Sequence, residues 1–203
     1  MNWRDPSYLL RGTERQRAAY RLLRELRLFE DLRDYTPVLV GTIPLGIDVA
    51  GSDLDIVCEV QVPEMETFTR RVTAAFGHQP DFHLKRKRIN GLPTVVAGFT
   101  ASTEGYTFPV EIFGQPRPVT AQNAYRHMVV EARLLALGGE PARRAIRRLK
   151  QQGLKTEPAF ARYFRLEGDP YQTLLELAAL DDEALAAVCG LRTADHRAPT
   201  ADR

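Results

Sequence analysis

Apolar residues near the N-terminus recur at helical intervals. Tyr20, Leu23, Leu26 and either Leu22 or Phe29 fall on one side, and Arg17, Arg21, Arg24 and Glu25 occupy the others. The spacing predicts a helical segment over residues 1 to about 36. Thr13-Glu14-Arg15-Gln16 has the capping-box form, with Gln16 able to reach back to the N-cap, and Pro37 ends the helical option. The texture then changes. Val38-Leu39-Val40 is a short apolar run before Gly41, and Leu54 to Val60 is a second strand. Met65, Phe68, Val72 and Phe76 line one face of a helix over Pro63 to Phe76. Phe82 to Ile89 and Leu92 to Phe99 flank Asn90-Gly91, a dipeptide that favours the tight turn of a hairpin. Ala101 to Gly105 reads as a turn cluster, and Tyr106 to Phe113 as a last strand. The order is helix, strand, loop, strand, helix, hairpin, strand.

Beyond residue 119 helical signals return. Thr120 is an N-cap candidate for a helix to about Leu137, closed by Gly138-Gly139. Pro141 opens a second helix ending near Gly153, and Thr156, Asp169 and Asp181 are further N-caps. The pattern therefore gives an α+β fold, with a small mixed or antiparallel sheet covered by helices. The expected division is an α/β core over 1–118 including the N-terminal helix, a helical region over 119–190, and a frayed tail over 191–203.

Composition changes this picture little. The chain of 203 residues is 44% hydrophobic and 27% charged, ordinary for a globular protein and unlike a collagen, a disordered chain or a disulfide scaffold. Lys plus Arg is 28 against 26 Asp plus Glu, a net charge of +2, so no global grip on nucleic acid is expected. Cys58 and Cys189 lack metal-knuckle spacing, and Cys58 in its apolar run reads as a core thiol. No run of about 18 apolar residues is present, and the N-terminus lacks the apolar stretch of a signal peptide. The cytoplasm is the expected compartment.

The candidate chemistry lies in residues 40–57. Gly41-Thr42 follows an apolar strand, where a glycine lets a phosphate approach the backbone and a hydroxyl can donate to it. Asp53 and Asp55 are one residue apart at the start of the next strand, so both carboxylates face the same side. Close carboxylates repel, and a divalent cation removes that penalty. Mg²⁺ takes oxygen ligands, commonly one or two carboxylates with substrate phosphates. The pair suits metal-assisted phosphoryl or nucleotidyl transfer.

Gly41-Thr42, the spacer, and Asp53-Leu54-Asp55-Ile56 resemble the signature of the nucleotidyltransferase superfamily, which has the DNA polymerase β-like fold. Val110-Glu111-Ile112 is similar to the third, apolar-flanked carboxylate of that superfamily. Thr42 keeps the hydroxyl where Ser is commoner, and Glu111 stands where Asp is commoner. More narrowly, the loop and Gln122-Asn123-Ala124-Tyr125-Arg126-His127 resemble a bacterial nucleotidyltransferase-like family of unassigned function. The resemblance implies two Mg²⁺ (or Mn²⁺) ions on Asp53, Asp55 and Glu111, and Gly41 and Thr42 on the phosphates of a nucleoside triphosphate such as ATP. Ser52, Lys85 and Lys87 are further candidate nucleotide contacts. An acceptor hydroxyl on a small molecule, RNA or a protein would receive the nucleotidyl unit. A second class of reading is an inactive module of this fold binding nucleotide, RNA or a protein partner. A third is a helical partner protein whose acidic residues stay far apart.

Other features have ordinary explanations. Asp48 reads first as a turn cap and only then as a metal ligand, and His127 first as a helix-surface or half-buried residue and only then as a proton shuttle or phosphate contact. Lys85-Arg86-Lys87-Arg88 alternates in pairs across a strand and reads first as charge protecting a sheet edge. The basic stretch from Arg143 to Arg165 fits equally an RNA or polyphosphate contact and a solvated helix face.

Overall fold

The computed structural model describes residues 1–190, and the expected tail, 191–203, lies outside them. The chain forms two compact units, Met1–Met128 and a second beginning at Val129.

In the first unit, Thr13 and Gln16 close the expected capping box on α1 (Glu14–Glu25). The helical segment is not continuous. Arg27 takes φ 50°, and a short α2 (Leu28–Asp31) follows. The break redirects the chain so that Leu28 and Leu32 enter the same core as Leu22 and Leu23. Strand β1 (Val38–Val40) leads into α3 (Thr42–Leu45), a single turn where a loop was expected. Then come β2 (Leu54–Glu59), α4 (Met65–Phe76), β3 (His83–Ile89), β4 (Leu92–Thr103) and β5 (Tyr106–Gln115). Asn90-Gly91 makes the expected tight turn, pairing Ile89 with Leu92. The second turn is shorter than the turn cluster expected at Ala101–Gly105. Ala101 to Thr103 continue β4, and only Glu104-Gly105 turn. Buried Ala101 and Thr103 and the Ser102–Thr107 hydroxyl pair at 2.9 Å hold that extension in the ladder.

The sheet has five strands in the order β1-β2-β5-β4-β3. Its pairs are antiparallel except β2 with β5. One face is apolar. Leu54, Ile56 and Cys58 of β2, Val110 and Ile112 of β5, and Val95, Ala97 and Phe99 of β4 join the core with α1 and α4. Phe76 stacks on Phe99 at 5.3 Å, and Tyr35 meets Phe68 edge-on at 4.8 Å. Each large apolar side chain buried there stabilises the unit by about 1.5–3 kcal/mol. Burial also pushes the Cys58 thiol well above its ordinary range, as befits a core residue. Strand alternation sends the next set of residues, Asp55, Glu111, Gly98 and His83, to the opposite face.

The second unit is helical. α5 (Asn123–Gln151), whose residues up to Met128 belong to the first unit, begins after a turn at Val119–Ala121 rather than at Thr120. It is interrupted at Gly139 (φ 61°, ψ −159°), where the Gly138-Gly139 stop and Pro141 restart were expected. α6 (Thr156–Phe164), α7 (Pro170–Leu177) and α8 (Asp182–Val188) follow. Asp169 and Asp181 cap α7 and α8 through their side chains. Thr156 is the first residue of α6 rather than its cap, and its hydroxyl accepts from Lys150 Nζ at 2.8 Å. Among the described residues no helix is long and apolar enough to cross a membrane.

Candidate active site

Asp55 lies directly beside Glu111 across the parallel β2–β5 pair. Asp53 precedes β2 by one residue and faces the same way. One carboxylate oxygen from each of Asp53, Asp55 and Glu111 lies within 4.8 Å of the other two, and all three side chains are half-buried. The three acids drawn from separate segments therefore converge, contrary to the dispersed arrangement of a purely structural protein. The donor set is all oxygen and all anionic, which suits a hard divalent cation. Oxygens about 2.1 Å from a Mg²⁺ lie at most about 4.2 Å apart. The observed spread thus needs a closure of less than about 1 Å, within reach of a side-chain rotation.

Gly41 lies at one end of this cluster. It holds φ 84° and ψ −152°, a region essentially reserved for glycine. A Cβ at this position would stand 2.8 Å from Asp55 Oδ2. The missing side chain leaves the space beside the carboxylate open. Thr42 follows, and its hydroxyl is 3.4 Å from that of Ser52. Ser52 Oγ also accepts from Val49 N at 2.9 Å. Gly41, Thr42 and Ser52 are thus brought together next to the acids.

Lys85 and Lys87 are not. Both are exposed on the edge strand β3, on the same sheet face as the acids but in rows displaced along the strands. Lys85 aligns with Val96 and Phe113, and Lys87 with Thr94, whose hydroxyl accepts from Gln115 Nε2 at 3.0 Å. Lys87 Nζ lies 5.8 Å from the Phe113 ring centroid. Arg86 points to the other face and donates to Glu66, which holds the Glu66 carboxyl below its ordinary range. His127 is buried on α5. In the second unit, Glu140 lies 3.4 Å from Arg143 and 3.9 Å from Arg144, so acidic neighbours meet part of the basic stretch.

Two residues of α1 organise the loop that carries the site, and the sequence pattern did not single out their role. Gln16 accepts from Thr13 N through Oε1 and donates through Nε2 to the Ile43 carbonyl at 2.7 Å. Arg15 donates to the Ser52 carbonyl at 3.2 Å and pairs with Asp48 at 3.3 Å. Its guanidinium lies 4.5 Å from the centre of the Phe108 ring. Asp48 is 2% exposed and pairs with the partly exposed Arg15, and the carboxylates that converge are Asp53, Asp55 and Glu111. The capping-box Gln is the one signal in the sequence that pointed toward this clamp.

Residues 21–177 match a protein family described as "Domain of unknown function (DUF4269)". Among curated proteins nothing matches the chain. Solved structures do. A Cid1 poly(U) polymerase with MgGTP bound is 13% identical, with a TM-score of 0.51, covering 85% of this chain and 54% of that one. The same polymerase with Mg 3′-dATP bound gives 14% and 0.50, covering 85% and 53%. A Cid1 structure described for RNA terminal uridylyl transferase activity gives 12% and 0.51, covering 85% and 53%. The chain spans about half the length of these polymerases. At such identities the likeness establishes the fold: a mixed sheet with helices of the polymerase β-like nucleotidyltransferase type.

Proposed function

We propose that this chain, which belongs to the DUF4269 family of domains of unknown function, transfers a nucleotidyl group from a nucleoside triphosphate to a hydroxyl acceptor. We place it nearest a bacterial branch of the nucleotidyltransferases, on the 41–53 loop and the Gln122–His127 segment, and in the cytoplasm. The division into a transferase core over 1–118 and a helical region over 119–190 belongs to the same proposal. The observation that carries it is the convergence of Asp53, Asp55 and Glu111, with ligand oxygens within 4.8 Å, beside the opening at Gly41. Cid1 structures with MgGTP and Mg 3′-dATP bound support a magnesium-dependent triphosphate substrate on this fold.

Asp53, Asp55 and Glu111 would hold Mg²⁺ or Mn²⁺. Such cations, when bound, neutralise triphosphate charge and polarise the phosphoryl oxygens under attack. Gly41 admits the phosphates to the backbone, and the Thr42 and Ser52 hydroxyls offer donors to them. Glu111 lies on the far side of Asp55 from β1, the strand that leads into Gly41. An in-line displacement needs attacking and leaving oxygens on opposite sides of the phosphorus. Phosphates at Gly41 thus place the acceptor on the β5 and β4 side. Lys85 and Lys87 stand farther along that side, where an anionic acceptor would pass.

Calorimetric titration with Mg²⁺ and ATP tests the site, and a turnover screen with labelled nucleoside triphosphates tests the transfer. The expected result is cation-dependent nucleotide binding that Asp53→Asn with Asp55→Asn abolishes, and label moved onto an acceptor. Nucleotide binding indifferent to both the cation and the two substitutions would sink the reading.

A further inference from the structure

The row of the sheet that holds Asp55 and Glu111 continues through two more strands. Glu111 pairs with Gly98 on β4, and Gly98 pairs with His83 on β3. Directly paired residues face the same side, so Asp55, Glu111, Gly98 and His83 share one face. The His83 ring does not stand over its own strand. It folds back across Gly98, where a Cβ would meet its Cε1 and come within 2.7 Å of its Nε2. Adjacent strands are about 4.8 Å apart, so the ring lies about one strand spacing from Glu111. Only the missing side chain at Gly98 lets it lie there.

The orientation of the ring is fixed as well. His83 Nδ1 is 3.0 Å from the Asp81 carbonyl oxygen. A carbonyl only accepts, so Nδ1 carries the hydrogen and Nε2 of the neutral ring keeps its lone pair. Asp81 is held in turn by the Thr100 hydroxyl, which donates to its Oδ2 at 2.9 Å. Nε2 is therefore the lone-pair nitrogen, and it lies over Gly98, the residue paired with Glu111. His83 is exposed, so an arriving molecule can reach it.

We propose that His83 is the proton acceptor for the attacking hydroxyl, an assignment that rests on the transferase reading above. Strand order sets the geometry: Gly41 follows the strand at one end of the row, and His83 closes the other end. With the phosphates at Gly41, in-line attack brings the acceptor oxygen in from the Glu111 and His83 side. The acceptor O–H proton passes to Nε2 as the oxygen bonds to the α-phosphorus. The bond from that phosphorus to the bridging oxygen breaks, and its electron pair leaves with pyrophosphate.

Two measurements on the full chain test this. The first follows histidine ring signals by NMR during Mn²⁺ titration. Bound Mn²⁺ is expected to broaden the His83 ring signals, and Asp53→Asn with Asp55→Asn to abolish the broadening. Mn²⁺ that binds while His83 stays sharp overturns the inference and leaves the transferase reading intact. Absence of Mn²⁺ binding overturns both. The second measures pyrophosphate release from ATP with Mg²⁺ and water as the acceptor. His83→Gln is expected to lower kcat roughly 100-fold, with KM within about twofold. Added imidazole is expected to restore His83→Ala. Gly98→Ala, which displaces the ring without altering it, should reproduce the loss, and combining it with His83→Gln should cost nothing further. An unchanged kcat in His83→Gln overturns the proposal.

Discussion

A glycine is the most constrained single residue of the site. Gly41 combines a backbone region reserved for glycine with a neighbour, Asp55 Oδ2, that a Cβ would crowd at 2.8 Å. Gly41→Ala is expected to cost about 1–3 kcal/mol in urea denaturation through backbone strain. It should also weaken Mg²⁺–ATP binding, because the new methyl occupies the approach to the carboxylate. Asp55 is the partner through which this is felt, so the effect on cation affinity should vanish when Asp55→Asn is already present. Equal affinity in Gly41→Ala and the unsubstituted chain would contradict the crowding argument.

Among the elements, α1 and the two hairpins matter most for the site. α1 contributes more than a core face: its Arg15 and Gln16 hold the loop from Ile43 to Ser52 that delivers Asp53. Arg15→Ala leaves Asp48 buried without that cation. It should lower stability by about 2–3 kcal/mol, less than for a fully buried pair because Arg15 is partly exposed. It should also loosen Asp53, measured as weaker Mn²⁺ affinity. Asp48→Asn in the Arg15→Ala background should recover part of the stability, since the buried side chain then carries no charge.

The hairpins show how much of the site could be read in advance. Asp53 and Asp55 were legible because strand alternation is local, and Glu111 because an acid flanked by apolar residues stands out in a buried strand. His83 was legible in principle. A two-residue turn at Asn90-Gly91 sets residue 83 opposite 98, and one at Glu104-Gly105 sets 98 opposite 111. The composition of Ala101–Gly105 blurs that register, because Ala is depleted in strands and Ser102 and Glu104-Gly105 suit a turn, while Thr103 alone favours a strand. Arg15 left no comparable trace, since its partners Asp48 and Ser52 are fixed by tertiary packing. Lys85 and Lys87 show the reverse. Alternation puts them on the face of the acids, but the register, which alternation does not report, sets them in rows displaced from Asp55 and Glu111.

At the scale of the whole molecule, the net charge of +2 gives little pH dependence to expect from surface charge alone. The helical unit supplies a specific one. Glu131 is 3% exposed. Burial first, and then the neighbouring Glu157 carboxylate, push its carboxyl up to about 8, with Lys150 opposing. The folded chain thus holds that proton more tightly than the unfolded chain, whose glutamate titrates near 4.5. Unfolding between these values releases a proton, so this contribution to stability is complete below about pH 4.5 and is lost as pH rises through about 8. Thermal melting from about pH 5 to about pH 9 should show a declining midpoint that Glu131→Gln flattens. The same decline in the variant would assign it to other groups.

The parallel pairing of β2 with β5 also sets the order in which the protein can acquire its chemistry. The aspartates emerge during synthesis well before Glu111, with α4 and a complete hairpin between them. A nascent chain that stops short of β5 therefore owns two repelling acids and no cage for a cation. Ion affinity should then arrive in one late step as the sheet zips shut, so that a bound metal would certify a finished fold.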